Sequence, residues 1–375
     1  MHRKIWKSIG EYPWISALIG VGFLVIVAIF TTYALSLGPR SHEHAAWSSF
    51  GSMLAGVFTF FGSTATIATL LFLNAQFKEQ QKVTSKQIEA MTFEQYLNHR
   101  KLFLERLKEI EESLDNKIKF KNPDKLYHNI FPQNSPLECS FRVQIVGGEL
   151  AKVDDLSDMF SSFVQMKKLL RNKSWIPADA DNLIKHLILM PNSLSFFHVE
   201  EDFEGDLALD GKNLGINIYS IDEYINRVTV VLNAFLVFTG NHPVESVNHL
   251  SESAELRKAL ILNFQSQLPP KHSLVPIRKY PIIFSLERIH HWVDQAKDAV
   301  GQRMFLDAWQ TMNTALSSKL CVNSFKDKAK QISMIKEFMM EADRAYKGSL
   351  PNSHERSLAN EFRAKLEPIL QGLQS

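Results

Sequence analysis

Cysteine is scarce. Only Cys139 and Cys321 occur in 375 residues, too few for a disulfide framework and in keeping with a reducing compartment, where both are expected as buried thiols. A charge excess is lacking too: 42 Lys and Arg stand against 40 Asp and Glu, which removes the electrostatic case for binding free nucleic acid with the whole surface. The sequence has no glycine-rich phosphate loop, nucleophile elbow, HExxH or paired CxxC, so the signatures of common nucleotide, hydrolase and zinc enzymes are missing. No catalytic residue, metal site or cofactor is therefore assigned. His290, His291, Asp294 and Asp298 come nearest to a metal cluster, but neighbours on a helix diverge by about 100°, so only one histidine shares a face with Asp294. The acidic run Glu200, Glu201, Asp202, Glu204, Asp206 and Asp210 lacks EF-hand spacing and reads as a solvated loop.

Charge is also missing from two long stretches near the start, Trp14 to Leu35 and Ala45 to Phe77, separated by Ser36 to His44. About 20 apolar residues in an α-helix cross roughly 30 Å of hydrocarbon, where unpaired backbone groups are not tolerated. Both stretches are long enough, and the short connection with Gly38 and Pro39 predicts an antiparallel hairpin. The first run exceeds the roughly 7 to 15 residues of a signal-peptide core and is followed at once by a second, so both are expected to stay. Arg3, Lys4 and Lys7 precede the first span and Lys78, Lys82 and Lys86 follow the second. The loop offers only Arg40 beside Glu43. Cations beside a span stay on the cytoplasmic side, which predicts that both termini are cytoplasmic.

Within the second span Ser48, Ser52, Gly56, Thr59, Ser63 and Thr66 fall in an arc of roughly 80° at about 100° per residue. Phe50, Leu54, Val57, Phe58, Phe61 and Phe72 point the other way. Small and hydroxyl residues let helices approach closely in lipid, so the stripe is read as a contact or pore face. It packs against the small residues Ser16, Gly20 and Gly22 of the first span, joins neighbouring protomers of a homo-oligomer, or lines a polar path between assembled hairpins.

Beyond Asn74 the pattern stays helical without Gly or Pro and predicts a stalk to about residue 115, its apolar side interrupted at Gln81 and Thr84 and packing on its own domain. Asn116 to Pro136 reads as a basic connector. Next come an expected strand over Ser140 to Val146, helices over Leu156–Leu170 and Asp179–Met190, and a strand over Ile216–Tyr219 beside the Asp210-Gly211 turn. Ser220-Ile221-Asp222-Glu223 matches a capping box, with Ser220 and Glu223 each satisfying an exposed amide. The apolar helix it opens has about a dozen apolar positions, too few to cross a membrane, and is expected as a core helix. A helix over Ser253–Gln267 ends at Pro269-Pro270, and the remainder is helical, ending near Leu370.

The fold class is thus a mainly α membrane protein: a two-helix transmembrane hairpin, a helical stalk and a large cytoplasmic, mostly α domain with a small β element. In residues this is a tail (1–13), two spans (14–35 and 45–75) around a periplasmic loop (36–44), a stalk (76–115), a cytoplasmic region (116–268), a Pro-rich connector (269–281) and a C-terminal helical region (282–375). Lys167, Lys168, Arg171 and Lys173, and Lys326, Lys328, Lys330 and Lys336, are candidate contacts for phosphate or for a partner, or else solvated surface. The lysines at 117 to 125, near the stalk, are alternative contacts for anionic membrane lipid.

The short tail, the hairpin whose second helix reads Trp47-Ser48-Ser49-Phe50-Gly51-Ser52-Met53-Leu54-Ala55-Gly56-Val57-Phe58, and the helical exit into Phe93-Glu94-Gln95-Tyr96-Leu97 resemble bacterial two-transmembrane abortive-infection effectors, in particular those encoded beside retron reverse transcriptases. The resemblance covers about residues 1 to 115. It implies an inner-membrane toxin of anti-phage defence, held inactive by a reverse transcriptase and its multicopy single-stranded DNA (msDNA) and released to disrupt the membrane. It carries over no catalytic residue. The alternative is a membrane-tethered signalling or scaffold protein whose hairpin only anchors it; a third is an enzyme built on Glu287, His290 and Asp294.

Overall fold

A computed structural model describes residues 13–36, 43–145, 155–171, 177–245, 253–266, 274–300 and 304–375. The chain is mostly helical with small β elements and divides into two compact units, Met1–Ala90 and Met91–Ser375.

The first unit holds α1 (Pro13–Ser36) and the start of α2 (His44–Ser113). By length and composition α2 is apolar enough to cross a membrane, and its most apolar window is not buried within the chain. The two helices touch. Phe50 lies 4.4 Å from Tyr33 and 5.4 Å from Phe30, ring centre to ring centre, while Phe61 flanks Gly22. Residues Leu73 to Ala90 of α2 are exposed throughout.

In the second unit the same helix turns amphipathic. Tyr96, His99, Phe103, Leu107 and Ile110, at steps of three and four, seat its last turns in the core. The segment expected as a solvated basic connector is instead structured: β1 (Ile118–Phe120) and α3 (Pro123–Ile130) bury Ile118, Leu126, Tyr127, Ile130 and Phe131. Lys121 and Lys125 are exposed and Lys117 and Lys119 half-buried in ion pairs, while Ile118 and Phe120 between them face inward, an alternation that the charge count conceals.

Helices α4 (Leu156–Leu170) and α5 (Pro177–Ser193) follow, then β2 (Phe196–His198), β3 (Asp206–Leu209) and β4 (Lys212–Asn217). β1 pairs antiparallel with β2, matching Ile118 with His198. β3 and β4 form a hairpin whose turn residues Asp210 and Gly211 both have positive φ, as a two-residue primed turn requires. α6 (Ile221–Phe238) is the expected core helix, with eleven buried residues. α7 (Ser253–Ser266) precedes β5 (Leu274–Pro276), a third strand beside β3 that lies inside the stretch read as a connector. The end of the chain is α8 (Pro281–Val300), α9 (Leu306–Ala315), α10 (Lys319–Asn323), α11 (Lys328–Gly348) and α12 (His354–Gln374).

Three local expectations are corrected. Ser140 to Ile145 form no strand, and Val146 lies outside the described residues; Asn134 and Asn241 side chains bond this segment instead. Ser220 does precede α6, but its hydroxyl makes no capping bond and accepts the Lys319 amide at 2.9 Å. Cys139 and Cys321 are half-buried rather than buried.

Candidate functional site

Partly covered positions on the apolar part of α2 are Phe50, Leu54, Val57, Phe61, Thr64, Ala68 and Phe72, and those on α1 are Gly22, Ile26, Ile29 and Tyr33. These two stripes face one another. Ser48, Ser52, Gly56, Thr59, Ser63 and Thr66 are all exposed, so the hydroxyl stripe does not pack against α1. Phe50 and Phe61 fill the space beside Tyr33 and Gly22.

Four of the stripe hydroxyls donate back along their own helix: Ser52 to Ser48 O at 3.0 Å, Thr59 to Ala55 O at 2.8 Å, Ser63 to Thr59 O at 2.9 Å and Thr66 to Gly62 O at 2.8 Å. A hydroxyl satisfied in this way does not need water or a neighbour in hydrocarbon. The stripe is therefore small, with four of its five hydroxyls already hydrogen-bonded. Around Gly56 no atom lies within 4 Å of where a Cβ would stand.

The second unit contains a dense buried ionic network. The Arg278 guanidinium donates to both Glu287 oxygens at 2.9 Å, and Tyr219 donates its hydroxyl to the same carboxylate. Glu204, fully buried, accepts the amides of Lys279 and Tyr280, the latter at 2.8 Å, and sits 3.3 Å from Arg278. Burial pushes the Glu204 carboxyl up, opposed by those amides and by Arg278. Asp206, 3 % exposed, accepts from Phe203 N, Asn213 and Asn217, each at 2.8 Å. The acidic run expected as a solvated loop thus carries two core anchors. Each is met inside by converging donors, which charge counting does not detect.

Beside it, His198 is held between Arg227 (3.1 Å) and Glu200 (3.6 Å), with Lys319 bridging Glu200 and Glu223. His290 stacks on Trp309, and burial pulls its pKa down to about 4; its Nε2 has no hydrogen-bond partner. Asp294 accepts from Lys258 and, at 3.3 Å, from the Trp309 indole. His290 and Asp294 share a side of α8 as expected, but the carboxylate is engaged by a lysine. No group of three or more His, Cys, Asp or Glu side chains that could hold a metal ion is found among the described residues.

Of the candidate cations, Lys167, Lys168 and Arg171 come together at the end of α4 on the wall of a cleft. Lys173 lies outside the described residues. Lys326, Lys328 and Lys336 are exposed around the start of α11, and Lys330 bonds Ser324 and covers the Phe325 ring at 5.2 Å. Sequence reading missed Arg278, Tyr219 and Glu204. They are separated by up to 74 positions, so no local spacing joins them, and Glu204 was read only as part of the acidic run.

Comparison of the chain with protein-family models, with characterised proteins and with solved structures gives no match.

Proposed function

We propose that this chain is a membrane-acting effector of bacterial anti-phage defence. In this reading α1 and the apolar part of α2 form a transmembrane hairpin in the inner membrane, both termini lie in the cytoplasm, and the second unit receives the signal. A complex of reverse transcriptase and msDNA keeps the chain inactive; release lets hairpins assemble and disrupt the membrane. The observation that carries the reading is a single uninterrupted helix. Its apolar start is covered only along the face that meets α1, and its far end is clamped in a core by His99, Phe103, Leu107 and Ile110.

The pairing of Tyr33 with Phe50 and of Gly22 with Phe61 supports antiparallel spans, because positions rise on one helix as they fall on the other. The uncovered stripe supports contact between copies, since Gly56 and its hydroxyl neighbours permit close backbone approach. Following membrane potential in cells expressing the chain is the test. Depolarisation under the activating condition, abolished by Gly56→Leu at equal abundance, is the expected result; unchanged potential under phage challenge overturns it.

A tethered scaffold is the second reading, favoured by the self-satisfied hydroxyls, which leave no polar group seeking a pore. It predicts that an unrelated hairpin substitutes for residues 13–75 without loss of function. An enzyme built on Glu287, His290 and Asp294 is supported least, because Arg278 and Lys258 already engage the two carboxylates.

A further inference from the structure

Between α4 and the first turns of α5 lies an open cleft of about 970 Å³. Its wall carries Lys167, Lys168 and Arg171 from α4, joined by Gln165 and, across the gap, Asn182 and His186. Val164 and Leu169 are the apolar members of the lining, and Asp179 the acidic one. The volume is at the upper end of small-molecule sites, roughly 300 to 1,000 Å³, and seven of the nine lining residues are polar or charged.

The cations are weakly held. Lys167 donates to the main-chain oxygen of Glu245 at 3.1 Å, and Arg171 stands 3.9 Å from the Glu245 carboxylate, a pair 62 % and 86 % exposed and worth little in water. Lys168 has no ion-pair partner among the described residues. His186 has a buried Nδ1 with no hydrogen-bond partner. Burial, aided by Lys185, holds this imidazole below its ordinary pKa. The carbonyl end of α4 offsets part of the field of two lysines, but not of Arg171 as well.

We propose that this cleft binds a compact small molecule bearing two or more phosphates, with Lys167, Lys168 and Arg171 as its cationic clamp and Asn182 and His186 as polar contacts. Fork-shaped guanidinium and ammonium donors fit phosphate oxygens. The lining has no Phe, Tyr or Trp, which disfavours a single nucleic-acid strand, since such strands bind by stacking successive bases on aromatic rings. The proposal concerns the second unit alone and stands whether or not the hairpin breaches a membrane.

The test is titration calorimetry on the full chain in detergent, with pyrophosphate as probe and a 20-nucleotide single strand as a separate arm. Saturable pyrophosphate binding, weakened at least tenfold by Lys168→Ala with Arg171→Ala at unchanged melting temperature, is expected. A second readout on the unaltered chain is acetylation: pyrophosphate slows modification of Lys168 and leaves exposed Lys328 unchanged. No pyrophosphate binding, equal binding by the variant, unprotected Lys168, or binding of the strand alone overturns the proposal.

Discussion

Arg278 holds Glu287 through two parallel hydrogen bonds of 2.9 Å, nine residues apart in the chain and with the carboxylate fully buried. The pair ties the segment after β5 to α8, and Tyr219 ties both to the end of the β-hairpin. Removing Glu287 strips the Arg278 guanidinium of its two short bonds and leaves it only Glu204 at 3.3 Å and the Tyr219 oxygen at 3.2 Å. Glu287→Ala is expected to cost about 3 to 5 kcal/mol, whereas a double replacement of Arg278 and Glu287 by apolar residues costs less than the single change. Denaturant unfolding of the purified chain measures both, and a single-variant loss below the double's contradicts the account.

Gly215 in β4 has φ of +71°, and a Cβ there would lie 2.7 Å from His198 Nδ1. Gly215→Ala therefore meets strain in the backbone and a collision with a ring fixed by Arg227. A loss of about 1 to 3 kcal/mol is expected, readable as a drop in melting temperature. Gly211→Ala, with similar φ but open space around it, should lose less.

His290 gives the fold an acid-sensitive limb. Its pKa falls from the ordinary 6.5 to about 4 on burial, so the unfolded chain binds more protons between those values and stability falls as pH drops through that window. The slope from this group approaches about 1.4 kcal/mol per pH unit. His290→Gln should flatten the dependence between pH 6.5 and 4 in unfolding experiments. An unchanged slope argues that His290 is not the group responsible.

The two faces of α2 should respond differently to bulk. Gly22→Leu drives a side chain into the Phe61 ring, which already stands 3.5 Å from a Cβ, while a Cβ at Gly56 has nothing within 4 Å. With Cys139→Ser and Cys321→Ser as background, disulfide formation between Tyr33→Cys and Phe50→Cys on membranes reports the pairing. Gly22→Leu should slow it severalfold and Gly56→Leu leave it unchanged; the reverse order removes the assignment of faces.

Much of the architecture follows from local pattern. Leu156–Leu170 appears with the bounds its apolar spacing indicates, Asp210-Gly211 turns the hairpin, and the helix begun at His44 runs to Ser113 because neither Gly nor Pro interrupts its exit. The stripe of Ser48, Ser52, Gly56, Thr59, Ser63 and Thr66 was legible as a face, since helical periodicity alone places residues around an axis. Which face meets α1 was not. That depends on comparing how the two sides of α2 fill space against Gly22, Ile26, Ile29 and Tyr33, a relation between helices.

Periodicity, length and charge placement along the chain determined the helices, the apolar span and the cationic end of α4, because each depends on neighbours within about four residues. Only the tertiary structure decided that Glu204, Asp206 and Glu287 belong to the core, that the lysine-rich segment 116–136 is folded, and that His186 and Asn182 face Lys167, Lys168 and Arg171 across one cleft. A charged side chain goes inside when distant donors converge to replace its water, and no local pattern records that convergence.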